Sequence, residues 1–417
     1  MSRLLFIFTL TTLLLTGCTN SNSIKVERLI IKEHNGSIQT ITHPEKLKSF
    51  ANTDFLAPQP YKSVTRYYKT PKSSVLSGVI TSYHPNGLIA QSLEIKNNQA
   101  NGVYREWYDS GTTKVQTTIM GGVGSLDDDS QNTWIYNGLA FAWYPDGALQ
   151  ATINYVNGNR EGITHTYHPN GLVDTIHMYT NDALHGQQQG FDDQGVLRWT
   201  HTFNNGLQHG AAIRYKDTSI ILDEHYNNGL LETGRYISLT ENNIQTGVNN
   251  YSGHQIVYNE NTDEYIISEI KNGVVDGIVS YYDDSGLNRT ETIQNGMKNG
   301  VETWLYANGI PKLQIQWIND VISGVVTTYF DNSTVESIRH INNNLLHGSY
   351  LAYYPDGQLM VDEIYENNKL VTGNYYPLGT MIRSSYVTNG QGTATIYNKD
   401  GGVKELITYK NGIPKTD

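Results

Sequence analysis

The chain has 417 residues, 39 of them Gly and 30 Tyr but only one Cys, and its 29 Lys and Arg against 40 Asp and Glu give a net charge of −11. A single Cys excludes an intramolecular disulfide framework and a thiolate zinc cluster. The acidic balance disfavours a polyanion-binding surface, so no nucleic-acid partner is expected, and the aromatic content argues for a packed core.

Residues 1–17 read as a leader. Arg3 is followed by the apolar stretch Leu4 to Leu15, too short to span a bilayer but suited to a secretory signal. Leu15-Thr16-Gly17-Cys18 closes it and resembles a bacterial lipobox. The resemblance implies cleavage before Cys18, a lipid on its sulfur, and membrane attachment through that anchor alone. Thr19 is not the Asp that retains many such proteins at the inner membrane, so the outer membrane, facing the periplasm, is the expected location. An ordinary signal peptide with an incidental Cys is the plainer alternative.

Residues 18–77 form the tether and capping segment. Val26 to Ile31 and Ser37 to Ile41 flank Asn35-Gly36 and read as a hairpin. Pro44 to Ala51 is weakly helical, and Val64 to Lys69 reads as a half-module capping the first edge.

From residue 78 a unit recurs, with Gly at 78, 102, 138, 162, 186, 210, 234, 253, 277, 300, 324, 348, 373 and 392; eight of the thirteen spacings are 24 residues. Each unit has a β-prone run, a turn such as Pro169-Asn170-Gly171, a second β-prone run and a polar loop. Residues 78–137 hold the first repeats and an insertion with Asp127, Asp128 and Asp129, which reads as a solvated loop or, less simply, a Ca²⁺ site. Contiguous Asp lack the alternating spacing of a known calcium loop. Residues 138–276 and 277–417 read as two blocks from a duplication, because six module glycines recur 138 or 139 residues later.

Counted from each Gly as zero, position five is aromatic: Tyr83, Trp107, Trp143, Tyr167, Phe191, Tyr215, Tyr258, Tyr282, Tyr329, Tyr353 and Tyr397, with Leu305 an exception. This ladder reads as a structural spine, sharing a face with positions one and three. Position six carries Tyr108, Tyr144, His168, Tyr306, Phe330 and Tyr354 on the opposite face, an aromatic half-ladder expected to meet a protein partner.

The signature Gly-x4-aromatic-x-Pro-Asn/Asp-Gly, best kept at Gly138 to Gly147, Gly162 to Gly171 and Gly348 to Gly357, resembles the MORN-repeat variant of YwqK-type antitoxin proteins. The resemblance implies an all-β fold, an elongated single-layer array of about fourteen tandem antiparallel hairpins. It also implies a non-enzymatic, membrane-tethered protein that binds and neutralises a protein toxin, with a basic toxin suiting the acidic chain. An outer-membrane structural or protein-interaction scaffold is the alternative. No nucleotide, zinc or nucleophile motif is present, and His185, His209 and His347 sit at one repeat position, so neither catalytic residues, cofactor nor metal are expected.

Overall fold

The computed structural model describes residues 25–69, 75–216, 218–236, 247–259 and 264–415. Cys18 and the leader lie outside them. Among the described residues there are 35 strands and two short helices, so the chain is all-β and built from antiparallel hairpins, as the sequence predicts. The chain divides into two compact units, residues 1–183 with 193–195, and residues 184–192 with 196–417.

In the first unit, Lys25–Lys32 pairs antiparallel with Ile38–Ile41 and, along its other side, with Ser63–Lys69, which pairs in turn with Leu76–Tyr83. The predicted opening hairpin and half-module are both present. The helix Pro44–Lys48 and the segment after it close one face there: Leu29, Ile31, Ile41, Phe55, Val64 and Tyr83 form a buried cluster, and the Tyr83 hydroxyl donates to the Phe55 carbonyl at 2.8 Å. The insertion keeps Asp127, Asp128 and Asp129 exposed to solvent, as expected, but folds into a short helix. Asp127 caps the helix Asp128–Gln131, accepting from the Ser130 amide at 2.9 Å and from the Ser125 hydroxyl, and those hydrogen bonds pull its carboxyl down to about 2. Trp134, 6% exposed, packs edge-on against Tyr104 and donates to the Val123 carbonyl at 2.9 Å.

Among the described residues, most connections between successive strands are tight turns. The Pro-Asn-Gly turns carry Gly in the left-handed region, as at Gly171 (φ +83°), and their Asn side chains accept from the amide two residues on, as Asn170 does from Leu172 at 3.0 Å. The segments expected as polar loops are also tight turns. Asn343 and Asn344, or Asn157 and Gly158, sit at positive φ and link successive strands.

The punctuating Gly has a physical cause. Ser268 pairs with Val279 and Ile270 with Val275, so Asp276, Gly277 and Ile278 together oppose the single residue Glu269. The same three-against-one bulge surrounds Gly102, Gly210, Gly324 and Gly348. At Gly277 the bulge demands φ +136°, and a Cβ would collide with the Glu269 side chain, whose carboxylate accepts from the Ile278 amide at 3.1 Å. Gly277→Ala is therefore expected to destabilise unit two by roughly 1–3 kcal/mol, measured as a lower urea midpoint at unchanged slope.

Burial follows the alternation of the strand, but not on the side the aromatic ladder suggests. Position two is sealed in most modules: Tyr104, Thr164, Gln188, Ala212, Glu302 and Tyr375 are between 0% and 6% exposed. Position one is open: Leu139, Ile163, Ile278 and Val301 are 48–56% exposed. Position five shares the open face, stacking on position three in the pairs Phe141–Trp143 and His165–Tyr167. Only Tyr83 and Tyr397 of the proposed spine are fully buried; Trp107, Trp143, Tyr167, Phe191, Tyr215, Tyr258, Tyr282, Tyr329 and Tyr353 are half-buried.

Candidate functional site

The position-six side chains stitch hairpins together. The hydroxyls of Tyr108, Tyr144 and Tyr306 each donate at 2.8 Å to the position-five carbonyl of the next hairpin, those of Trp143, Tyr167 and Tyr329. Tyr354 makes the equivalent bond to the Tyr376 carbonyl at 2.9 Å. His168 lies 3.6 Å from Asp174. Phe330, lacking a hydroxyl, is covered by the Lys399 ammonium 4.7 Å from its ring. The expected partner-facing half-ladder is corrected where burial decides it: Tyr354 is 0% and Phe330 6% exposed, leaving no surface to offer.

The sealed face instead collects carboxylates. Glu224 accepts from the hydroxyls of Tyr226 and Tyr236 at 2.9 and 2.7 Å. Its counterpart in the second block, Glu363, accepts from Tyr365 and Tyr375 at 3.0 and 2.5 Å. A tyrosine clasp around a carboxylate thus occurs twice in the chain. Burial pushes the Glu363 carboxyl above the usual range, only partly opposed by the two hydroxyls.

A different solution occurs at the start of the second block. Glu302, 3% exposed, receives the indole N–H of Trp304 at 2.9 Å and of Trp317 at 2.8 Å, with Arg289 and Lys298 each 3.4 Å away. Lys298 also lies 2.6 Å from Glu291, which accepts from the Tyr281 hydroxyl at 2.5 Å. The Arg289 guanidinium stands 3.7 Å over the Tyr281 ring and 4.8 Å from that of Trp304. Burial pushes Glu291 up, but Lys298, Tyr281 and the Arg289 charge outweigh it and hold the carboxyl below its usual range; the Tyr281 phenol is pushed up to about 12. Register shows that block one lacks this arrangement. Tyr281 pairs with Arg289 and Val279 with Glu291, whereas Ala142 pairs with Ala151 and Ala140 with Ile153.

Opposite linkage signs follow for the two carboxylates. Glu363, raised in the folded state, costs stability as pH climbs through the carboxylate range, so Glu363→Gln should gain on the parent with rising pH. Glu291, lowered, contributes stability above its unfolded pKa and loses it as pH falls, so Glu291→Gln should be weakest near neutrality and converge with the parent in acid. Thermal melts from about pH 3 to about pH 8 read both trends.

Beside this cluster the sealed face opens into a trough of about 800 Å³, lined by Val257, Ile266, Val275, Val279 and Ile293 with Gln255, Ser268, Tyr281 and Glu291 among them. A hollow of about 350 Å³ continues it past Tyr281 to Arg289 and Trp304. Among the described residues no three His, Cys, Asp or Glu side chains converge as metal ligands. Sequence reasoning missed this site because the charged and aromatic cluster alone draws on five strands; the visible signal was Glu302 two residues after a module Gly, with Trp304 and Trp317 beyond it.

Three hairpins decide the repeat type. Residues 136–157, 346–370 and 391–411 match the MORN repeat variant. Each match takes in one module glycine, Gly138, Gly348 and Gly392 in turn. Repeats of this kind act through protein or membrane interaction and are typically non-enzymatic. No curated protein matches the chain. Among solved structures, a chain of a mutant Photorhabdus luminescens Tc holotoxin pore is similar at 9% identity and a TM-score of 0.12, over 90% of this chain and 27% of that one. This chain thus spans about a quarter of that relative, and at such a TM-score the likeness carries no argument.

Proposed function

We propose that this chain is a lipid-tethered, non-catalytic receptor in the bacterial envelope that binds and neutralises a protein toxin. The observation that carries the binding reading is the open column at repeat position one, where Leu139, Ile163, Ile278 and Val301 stay about half exposed beside half-buried aromatics. Apolar side chains held on rigid strands lose little entropy on meeting a partner. The internal carboxylates point the same way, because Glu302 and Glu291 are spent on neighbouring Trp, Lys and Tyr groups rather than poised for proton transfer.

The toxin reading adds two features: the resemblance to YwqK-type antitoxins and the net charge of −11, which accelerates encounter with a basic partner and weakens with salt. Deleting the gene should sensitise cells to the product of a neighbouring toxin gene, and restoring it should protect them. Unchanged survival, with no complex between the two purified products, would count for the scaffold alternative. The anchor is checked separately: Cys18→Ser should move the protein from the membrane fraction to the soluble periplasm.

A further inference from the structure

The trough beside the Glu302 cluster has a shape and chemistry that the toxin reading does not use. It runs across the strands Ser252–Asn259, Glu264–Lys271, Val274–Asp283 and Gly286–Gln294, reaching Trp304 on a fifth. Five strands at about 4.8 Å spacing give a length of roughly 19 Å. That length accommodates an extended segment of about six residues. The floor is mainly aliphatic, from Val257, Ile266, Val275 and Val279, and half-exposed Val257 stands on the first of these strands, lining both the trough and the hollow.

Its polar groups are unevenly committed. Arg289 and Lys298 face Glu302 and Glu291 and so have their counter-charges. Lys271 lies 3.0 Å from Glu269. At the turn end, Asp276 accepts only a long 3.3 Å bond from the Asn295 amide, and Gln255 and Ser268 add acceptors along the floor. Asp276, which makes no ion pair among the described residues, thus sits on the third of the five strands, at the turn edge of an apolar channel, on a chain of net charge −11. In block one the positions of Tyr281, Arg289 and Glu291 are Ala142, Ala151 and Ile153, so the feature belongs to one place in the array and is not a by-product of the repeat.

We propose that this trough is a peptide-binding groove, taking an extended segment of a partner protein in which Lys or Arg alternates with aliphatic residues. The aliphatic side chains lie on Val257, Ile266 and Val279, and a basic side chain reaches Asp276. Charge complementarity selects this occupant over an acidic segment, and the aliphatic floor selects it over a glycan. The proposal deepens the protein-binding reading and rests on it, but its test needs no toxin.

The full-length protein is titrated by fluorescence polarisation with two labelled hexapeptides, one alternating Lys and Val and one alternating Glu and Val. The Lys peptide should bind at least tenfold more tightly than the Glu peptide. Val257→Trp, which fills the trough from a half-exposed position, should weaken it at least tenfold. Asp276→Asn should weaken it several-fold and flatten its salt dependence, while Glu45→Gln, an exposed carboxylate in the other unit, should leave it unchanged. Equal binding of the two peptides, or binding untouched by Val257→Trp with the fold intact by circular dichroism, overturns the proposal. Displacement of nothing but maltohexaose or a dodecyl chain by Val257→Trp assigns the trough to a glycan or lipid and also overturns it. Loss of toxin protection without loss of peptide binding would fault the toxin reading alone.

Discussion

Glu302→Ala should destabilise the second unit by about 3–5 kcal/mol, because it strands two cations and two indole donors around an empty site. The carboxylate is 3% exposed and holds Trp304, Trp317, Arg289 and Lys298 at 2.8–3.4 Å. Arg289 and Lys298 retain some solvent contact, 21% and 29% by side chain, which draws the expected cost towards the lower end. A matched control separates burial from mere proximity. Glu45 and Lys48 also meet at 2.8 Å, but with side chains 70% and 71% exposed. Glu45→Ala should change stability by no more than about 0.5 kcal/mol. Urea unfolding of both variants checks the pair; similar shifts would mean that the Glu302 cluster is as solvated as the surface.

Tyr354→Ala should cost a similar amount, about 3–5 kcal/mol, for a different reason. Tyr354 is 0% exposed in a cluster with Ala352, Val361, Leu370 and Tyr375, and its hydroxyl ties its own hairpin to the Tyr376 carbonyl. Alanine opens a cavity and breaks the tie; Tyr354→Phe breaks only the tie and should cost about 1 kcal/mol. The ratio between the two variants apportions packing and stitching. Because each stitch joins adjacent hairpins, the loss should concentrate in the hairpins on either side, read as faster amide exchange near Met360 and Tyr376 than near Ile213.

The glycine period was legible because the same bulge recurs and each time demands a positive φ next to an overlying side chain, as Gly277 does beneath Glu269. Hairpin turns such as Asn170-Gly171 were legible because the pair tolerates the left-handed backbone the turn needs. The second set of turns was read as loops because its residues vary, Asn-Gly at 157–158 but Asn-Asn at 343–344, with no Pro before them to mark the turn. The sealed face was hidden by chemistry. Thr164, Gln188, Ala212 and Glu302 share one repeat position but no common polarity, whereas the uniform aromatics of position five drew the eye to the open side. Half-buried aromatics there, such as Trp143 on Phe141, stabilise one another along the strand without a covering layer. The position-six tyrosines were recognised as a column, but their role needed the register, because the acceptor of Tyr144 lies 23 residues away.

The assignment of the two faces is the claim on which the binding surface rests, and paired cysteines test it most directly. In a Cys18→Ala background, Ile163→Cys and Thr164→Cys place a thiol at positions one and two of the same strand, where the native side chains are 48% and 6% exposed. Under native conditions the thiol at 163 should react with a maleimide at least about a hundredfold faster than that at 164, given the burial of one and not the other. Equal rates, or a faster reaction at 164, would place the core on the aromatic side and contradict the account.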